Sequence, residues 1–337
     1  MFSIQNKIEN GFDKIILKDE TNGTIAEIIP SCGGILYAFA TLNNGEVFNV
    51  LESYESAEDF KKNVTGKGFL GAKLSPFVCR LHKGTYQFKE KNYVIEKYYA
   101  GENALHGILY DEAFTVIEQE ADSEGAKISM KYEYRKTDKG YPFNYDCIIV
   151  YELEKNNKLT INTEVINKDE VEIPIQDGWH PYFKLDSKIN DLELQFRSYD
   201  MVEFDKDLIP TGKLIPYKEF DTPKAIGNTF LDNCFTLNFT EGQPICLLLN
   251  AEKNIQVEIH TDESYPYLQL YTPPHRKSIA IENISSAPDA FNNELGFKIL
   301  APGESATFRT AYKISPLHPD SNRDPPQRWL ASPQCPL

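Results

Sequence analysis

The chain is short of basic residues and has no long apolar run, and each shortage excludes a class of protein. Its 337 residues include 35 Lys and Arg against 50 Asp and Glu, a formal net charge of -15. Nucleic acids and anionic membranes are bound through basic patches, so neither is an expected partner. No apolar run approaches the roughly 20 residues of a membrane helix, and the N-terminus lacks an apolar signal segment. We therefore expect a soluble, cytoplasmic protein. The negative net charge is compatible with a neutral or cationic small ligand.

The six cysteines are scattered and form neither a CxxC pair nor a spacing typical of metal ligands. Cys147 and Cys246 lie in apolar runs, which indicates reduced, buried thiols in a cytosolic protein. No two histidines share a strand face or a ligand-like spacing. The sequence therefore predicts no metal site.

Short apolar alternations broken by turn residues dominate the chain. Asn-Gly pairs at 22–23 and 44–45 predict hairpin turns, because both residue types tolerate positive φ. A short helix is predicted around Ser56–Lys62, where an N-cap serine precedes acids and then lysines. The long strands that lead to residue 176 are typical of large antiparallel sheets. We expect an all-β protein with a single domain over residues 1–315.

The end of the chain changes character. Residues 295–314 predict a last hairpin with its turn at Pro302-Gly303. Residues 316–337 have no period, many prolines and an isolated Trp329. We interpret this segment as a disordered tail or an out-of-frame cloning remnant.

A rigidly held histidine stands where the alternation stops. In QDGWHPYFKL, residues 176–185, His180 lies between Trp179 and Pro181. Proline fixes its own φ and biases the residue before it towards extended geometry. Such an imidazole can be aimed at a ligand, or it can be a core histidine whose nitrogens bond to the backbone.

Four further polar residues fit either a ligand contact or a structural role. Arg80 closes a loop, where it could bind carbonyl groups or be solvated, and His106 precedes a glycine that permits close backbone approach. Asp232 could cap a turn ahead of an apolar alternation. Glu282 directly follows three apolar residues, so it either faces solvent or enters a cleft with a raised pKa. The residues alone leave these alternatives open.

In combination, these contexts resemble one known family. The segments that carry the resemblance are CRL at 79–81, NALHG at 103–107, GYPFN at 140–144, GWHPYFKL at 178–185, LDNCF at 231–235, YPYLQLYTP at 265–273 and IENISSAPDAFN at 281–292. This succession resembles the aldose 1-epimerase (galactose mutarotase) family from about Gly33 to Ile314. HPYF and the glutamate before PDAF are its most specific segments. The resemblance implies a β-supersandwich of mostly antiparallel strands with an open sugar cleft.

The resemblance also implies roles for five residues. Glu282 matches the family's general base and His180 its general acid. His106, Arg80 and Asp232 match residues that bind and orient the sugar, His106 within the catalytic centre itself. The implied activity interconverts the α and β anomers of free aldohexoses such as glucose or galactose, and no cofactor is needed.

Two expectations accompany these roles. Trp179, Tyr182 and Tyr271 are expected to pack on the apolar C–H faces of a sugar. Because a carboxylate and an imidazolium attract each other, Glu282 and His180 are expected to favour each other's charged form.

The sequence departs from the family pattern at three places. Cys79 stands where an asparagine is usual, and Ile108 stands where a second glycine commonly follows His-Gly. Asn283-Ile284-Ser285 replaces the frequent Pro-Met-Thr after the glutamate. The first two departures bear on the preferred sugar more than on the chemistry.

Two other functions compete with mutarotation of free sugars. An epimerase of hexose 6-phosphates could hold its phosphate with Arg80, His82 and Lys83, or with residues 275–277. A non-catalytic carbohydrate-binding β-sandwich would keep the aromatic residues and Arg80 but would not need the acid–base pair. The sequence does not distinguish a monomer from a homodimer.

Overall fold

Strands make up most of the fold in the computed structural model, which describes residues 1–317. The first strands in chain order are β1 (Phe2–Glu9), β2 (Phe12–Asp19), β3 (Ile25–Ile29), β4 (Ile35–Asn43), β5 (Glu46–Asn49), β6 (Ala72–Leu74), β7 (Arg80–Leu81), β8 (Thr85–Phe88), β9 (Lys91–Val94), β10 (Tyr99–Ala100), β11 (Asn103–Leu105), β12 (Thr115–Ala121), β13 (Gly125–Arg135), β14 (Asn144–Glu154) and β15 (Lys158–Asn167). They are followed by β16 (Ile173–Ile175), β17 (Gly178–His180), β18 (Tyr182–Phe183), β19 (Glu193–Phe196), β20 (Ser198–Phe204), β21 (Pro210–Pro216), β22 (Lys224–Ala225), β23 (Asp232–Leu237), β24 (Cys246–Asn250), β25 (Ile255–Thr261), β26 (Tyr267–Tyr271), β27 (Ile279–Ile284), β28 (Lys298–Leu300) and β29 (Ser305–Ser315). The helices are α1 (Ala57–Asn63) and α2 (Ala290–Asn293), with 3₁₀ turns at His82–Gly84 and Ile189–Asp191. The prediction of an all-β protein is confirmed.

Two large antiparallel sheets dominate the architecture. One has nine strands in the order β12-β13-β14-β15-β29-β25-β24-β19-β22. The other has eight strands, in the order β21-β20-β23-β26-β27-β17-β6, with β18 also paired to β27. A five-stranded sheet runs β1-β2-β3-β4-β5, and a small three-stranded sheet joins β10, β11 and β7.

The inner faces of the two large sheets meet through aromatic side chains. Tyr151 of β14 contacts Trp179 of β17, with ring centroids 5.9 Å apart. Tyr312 of β29 contacts Phe183 of β18, with centroids 5.2 Å apart. Because successive side chains of a strand point to opposite faces, the residues that alternate with these aromatics lie on the outer face of the eight-stranded sheet.

The local turn and helix signals are confirmed. Helix α1 begins after Ser56, whose hydroxyl accepts a hydrogen bond from the backbone N–H of Asp59 at 3.1 Å. The Asn-Gly pair at 44–45 joins β4 to β5 with positive φ at both residues. These signals succeed because they depend on a few neighbouring residues.

The predicted closing hairpin is wrong. The turn at Pro302-Gly303 lies between β28 and β29, but these two strands do not pair. β28 pairs with β16, whereas β29 lies between β15 and β25 in the nine-stranded sheet. Turn residues specify a chain reversal, but the pairing partner is chosen by long-range packing of the apolar faces.

Other predictions are tested only within residues 1–317. The five cysteines of this part of the chain are buried and free, as expected for reduced thiols. No helix in these residues is long and apolar enough to span a membrane. The tail predicted at 316–337 lies, apart from residues 316–317, outside the described residues, and the single domain stays a prediction.

A buried carboxylate in the middle of the nine-stranded sheet makes a contribution to stability that depends on pH. Glu258 in β25 accepts hydrogen bonds from Ser315 Oγ at 2.8 Å and Lys313 Nζ at 3.1 Å, and His260 Nε2 lies 3.1 Å away. Burial raises the pKa of Glu258, but the hydrogen bonds from His260, Ser315 and Lys313 outweigh burial and lower the pKa from 4.5 to about 2. The ionised form therefore stabilises the folded state.

We expect Glu258→Gln to lower the free energy of unfolding by about 1–3 kcal/mol at neutral pH, because a charge-assisted network is lost. The folded-state pKa lies below the ordinary value, so this contribution is complete above about pH 4.5 and disappears as the pH falls towards 2. Urea unfolding of both proteins across that window should show their difference shrinking. A difference that stayed constant with pH would contradict this account.

Candidate active site

The register of the eight-stranded sheet places His180 against Glu282. Gly178 of β17 lies opposite Ile284 of β27. Two residues forward along β17 and two residues back along β27, the same antiparallel register places His180 opposite Glu282. Directly opposed residues of antiparallel strands project to the same face. His180 Nε2 is 3.3 Å from Glu282 Oε1, and the side chains are 5% and 2% exposed. A buried acid and a buried base therefore share one face.

The same face continues across two further strands. Gln269 of β26 lies opposite Glu282, and Cys234 of β23 lies opposite Gln269. Two residues away on these strands, Asp232 lies opposite Tyr271. Gln269 Nε2 donates a hydrogen bond to Asp232 Oδ1 at 3.0 Å, which fixes the carboxylate beside the acid–base pair.

Strand alternation explains why the neighbouring residues face the other way. Trp179 contacts Tyr151 in the nine-stranded sheet, and the Asn283 amide oxygen accepts a hydrogen bond from Thr310 at 2.8 Å. Both residues therefore point into the core. The expectation that Trp179 packs on a sugar is wrong, because it lies on the opposite face from His180.

Arg80 and His106 reach the cleft from the small three-stranded sheet. Arg80 of β7 lies opposite Leu105 of β11. The backbone N–H of His106 donates to the carbonyl of Cys79 at 2.9 Å. Pairing of two short strands thus presents an arginine, a thiol and an imidazole together.

The turn at His106 depends on a close backbone approach. His106 and Cys79 have φ of 63° and 49°, a left-handed conformation that is unfavourable for residues with a side chain. The next residue, Gly107, has φ 77°, and a Cβ there would lie 2.3 Å from the Ser75 carbonyl oxygen. No residue with a side chain fits, which explains the glycine after the histidine.

Burial controls the ionisation of the site. It lowers the pKa of His180 to about 4 and lowers that of His106 well below its ordinary value, to which the nearby His180 and Arg80 add. It raises the pKa of Glu282 well above its ordinary value; nearby Asp232 raises it further and Arg80 lowers it. Burial thus disfavours the charged form of both groups, and the expectation that Glu282 and His180 favour each other's charged form stays a prediction.

Several polar atoms of the site have no hydrogen-bond partner within residues 1–317. They are His106 Nδ1, His180 Nδ1, Gln269 Oε1 and Glu282 Oε2. Buried polar atoms are nearly always bonded in folded proteins, since leaving them unpaired costs free energy. These atoms are therefore suited to bind a polar ligand.

The structure brings most of the predicted site residues together. His180, Glu282, His106, Arg80, Tyr182, Asp232 and Tyr271 all line one cleft. Sequence reasoning missed Gln269 and the apolar side of the cleft, formed by Phe69, Tyr98, Leu105, Phe204 and Leu208. Gln269 could have been found by counting two residues back from Tyr271 on the same strand. The apolar residues come from separate loops and strands and carry no common signal.

The prediction of no metal site stays a prediction, but the fold gathers one group of possible ligands that the sequence did not indicate. Ligand atoms of Cys79, His106 and Glu282 lie within 4.8 Å of one another. Spacing rules missed this group because its members come from three distant segments of the chain.

The comparisons with known proteins agree with this geometry. A family model described as aldose 1-epimerase matches residues 13–313. The chain belongs to the aldose 1-epimerase family. Membership of this family makes the protein an isomerase with general aldose epimerase function.

Relatives of this family cover the chain almost completely. An aldose 1-epimerase of Streptococcus thermophilus is 23% identical, over 92% of this chain and 97% of its own. A galactose mutarotase-like protein of Clostridium acetobutylicum superposes with a TM-score of 0.84 at 21% identity, over 94% of this chain and 99% of its own. A galactose 1-epimerase of Lactobacillus acidophilus gives 0.77 at 21% identity, with the same coverage. The expected galactose mutarotase-like fold is confirmed.

A buried ion pair supports the strand that carries His180 in this epimerase. Lys73 of β6 lies opposite Trp179, and its ammonium pairs with Asp177 while lying 4.5 Å from the Trp179 ring centroid. Both ions are fully buried, and Tyr265 also donates to Asp177 at 2.6 Å. Burial raises the pKa of Asp177 even though Lys73 and Tyr265 lower it. Desolvation thus offsets the attraction, which points to a role in positioning rather than in stability.

We expect Lys73→Met to destabilise the fold by about 3–5 kcal/mol, because it leaves the Asp177 carboxylate buried without its countercharge. The double variant Lys73→Met/Asp177→Asn should recover part of that loss, since it removes both charges. Denaturant unfolding of the single and double variants measures both effects. A single variant as stable as the parent protein would exclude a charged pair at this position.

Proposed function

We propose that the protein interconverts the α and β anomers of free aldohexoses such as glucose and galactose. Glu282 acts as general base and His180 as general acid. The observation that carries the proposal is the 3.3 Å approach of a buried imidazole to a buried carboxyl group on one face of the cleft. Membership of the aldose 1-epimerase family supports the reaction class.

The reaction needs two proton transfers around one carbon. Glu282 takes the proton of the C1 hydroxyl while His180 gives a proton to the ring oxygen, and the C1–O5 bond breaks. The free aldehyde then rotates about C1–C2 and presents its other face. Closure returns the proton from Glu282 to the new C1 hydroxyl and restores the proton on His180. General acid and general base catalysis each contribute roughly 10²–10⁴-fold.

The low pKa of His180 and the raised pKa of Glu282 are compatible with this cycle. A carboxylate with an imidazolium contains as many protons as a carboxylic acid with a neutral imidazole. Ring opening converts the first arrangement into the second, which the dry site favours. The positive charge of Arg80 lowers the pKa of Glu282 and so helps the charged arrangement that starts the reaction.

The remaining cleft residues suit a neutral sugar. Arg80, His106 and Asp232 line the cleft with groups that can bond hydroxyls, and Tyr182 and Tyr271 line it with rings that can cover C–H faces. Tyr182 also stacks on His180, with centroids 5.1 Å apart and planes 19° apart, which limits rotation of the imidazole. Orientation of both partners is the main requirement of such proton transfers.

The charge of the cleft disfavours a phosphorylated substrate. Within residues 1–317, Arg80 is the single Lys or Arg that lines the cleft. Arg276, a phosphate candidate from the sequence, instead donates to the Thr229 carbonyl at 2.9 Å and to the Gly227 carbonyl. A dianionic phosphate would also meet Asp232 and Glu282.

A non-catalytic sugar-binding role is disfavoured for another reason. Burying an acid and a base together is costly, and a binding site gains nothing from that cost. We also propose a cytoplasmic location, which the free, buried cysteines support.

We expect Glu282→Gln and His180→Asn each to lower the mutarotation rate by roughly 10²–10⁴-fold, since each removes one proton-transfer group. Polarimetry of freshly dissolved α-D-glucose and α-D-galactose measures the rate. The matched controls are the exposed residues Glu263→Gln and His275→Asn, which should keep full activity, and circular dichroism checks the fold. Full activity in either site variant would refute its role, and no acceleration of any aldose would refute the function.

We expect kcat/KM for glucose to exceed that for glucose 6-phosphate by at least about tenfold, because a phosphate meets one cation and two acids in the cleft. Exchange NMR between the two anomers measures both substrates in the same way. Equal or faster turnover of the phosphate ester would instead support the hexose 6-phosphate alternative.

A further inference from the structure

The floor of the cleft gathers three different metal-ligand types. The ligand atoms of Cys79, His106 and Glu282 lie within 4.8 Å of one another, and all three residues line the cleft. A tetrahedral zinc site with bonds of about 2.0–2.3 Å places its ligand atoms roughly 3.3–3.6 Å apart. The three donors therefore need to approach by roughly 1 Å, a distance that side-chain rotation covers.

Two of these three side chains carry a buried polar atom that is unpaired within the described residues. Glu282 Oε2 and His106 Nδ1 have no hydrogen-bond partner in the described part of the chain, and their residues are 2% and 8% exposed. Cys79 is 5% exposed and is not in a disulfide. A bound cation would satisfy buried groups that otherwise cost free energy.

The donor set selects the kind of ion. A thiolate, an imidazole and a carboxylate suit Zn²⁺, whereas Mg²⁺ and Ca²⁺ prefer oxygen donors throughout. Three protein ligands that leave a fourth position open are typical of accessible zinc centres. Burial raises the pKa of Cys79 well above its ordinary value and Arg80 lowers it, so a bound ion has to displace a firmly held thiol proton.

We propose that Zn²⁺ binds at Cys79, His106 and Glu282, and that the ion and the sugar exclude each other. Binding displaces the Cys79 thiol proton, and the proton of Glu282 where that group is protonated, to solvent, and forms one bond from the metal to each of the three side chains. Exclusion follows because Glu282 and His106 cannot hold the metal and serve the sugar together. This second part rests on the proposed function, whereas metal binding does not.

Calorimetric titration of Zn²⁺ into the full chain tests the binding directly. We expect one ion per chain, and an affinity at least about tenfold weaker in Cys79→Asn and in Cys79→Ser, since a ligand is lost. Cys234→Ser is the matched control, because this buried thiol lies on the same face but outside the donor group, and its affinity should match the parent. Thermal unfolding confirms that each variant is folded.

Co²⁺ in place of Zn²⁺ identifies the ligands. We expect a thiolate-to-cobalt charge-transfer band that disappears in Cys79→Asn and persists in Cys234→Ser. No saturable binding, equal affinity in Cys79→Asn, or a band that is lost only when Cys335 is replaced would overturn the proposal.

Exclusion is tested by activity. Zn²⁺ should inhibit mutarotation of D-galactose competitively in the parent protein, EDTA should restore the rate, and Cys79→Asn should resist inhibition. Inhibition that D-galactose does not relieve would overturn the exclusion. A parent protein that binds Zn²⁺ as expected but accelerates no aldose would contradict the proposed function and leave the metal site standing.

Discussion

Antiparallel pairing of β27 with β17 is the constraint on which the site depends. Opposed residues share a face, so the register alone brings His180 against Glu282 although their segments are far apart in sequence. A slip of one residue would turn Asn283 into the cleft and bury the Glu282 carboxyl group in the core. Backbone contacts of Asp177, directly before β17, with Ser285, directly after β27, oppose such a slip: Asp177 N–H donates to Ser285 Oγ at 2.9 Å, and the Asp177 carbonyl accepts from Ser285 N–H at 2.9 Å.

Burial away from water sets the pKa values of the acid and the base in the site. Burial raises the pKa of Glu282 and lowers that of His180, so it disfavours the charged form of each group. The neutral forms of both groups are favoured in the buried cleft, and in the proposed reaction each exchanges its proton with the sugar. Among the described residues, the unpaired nitrogens and oxygens around them suit the cleft to polar atoms from outside the chain.

The sequence predicted which residues line the site better than it predicted their orientation and the strand pairing that brings them together. Helix α1 and the Asn-Gly turns follow from neighbouring residues, and the contexts of His180 and Glu282 carried the resemblance to the family. The orientation of Trp179 was not predictable. Alternation along a strand shows that neighbouring side chains face opposite sides, but which set faces the core depends on where the second sheet packs. The partner of β28 and the gathering of Cys79 with His106 depend on contacts between distant segments, which local patterns do not encode.

The left-handed backbone at Cys79 and His106 has a wider consequence. Such conformations persist only where several contacts hold the backbone in place. Here Gly107 packs so closely against the Ser75 carbonyl that no Cβ would fit. The backbone of this wall of the cleft is therefore rigid and preorganised before a ligand binds. New ligand preferences on this scaffold would have to arise by exchanging the side chains that project from it, as at position 79, while the main chain stays as it is.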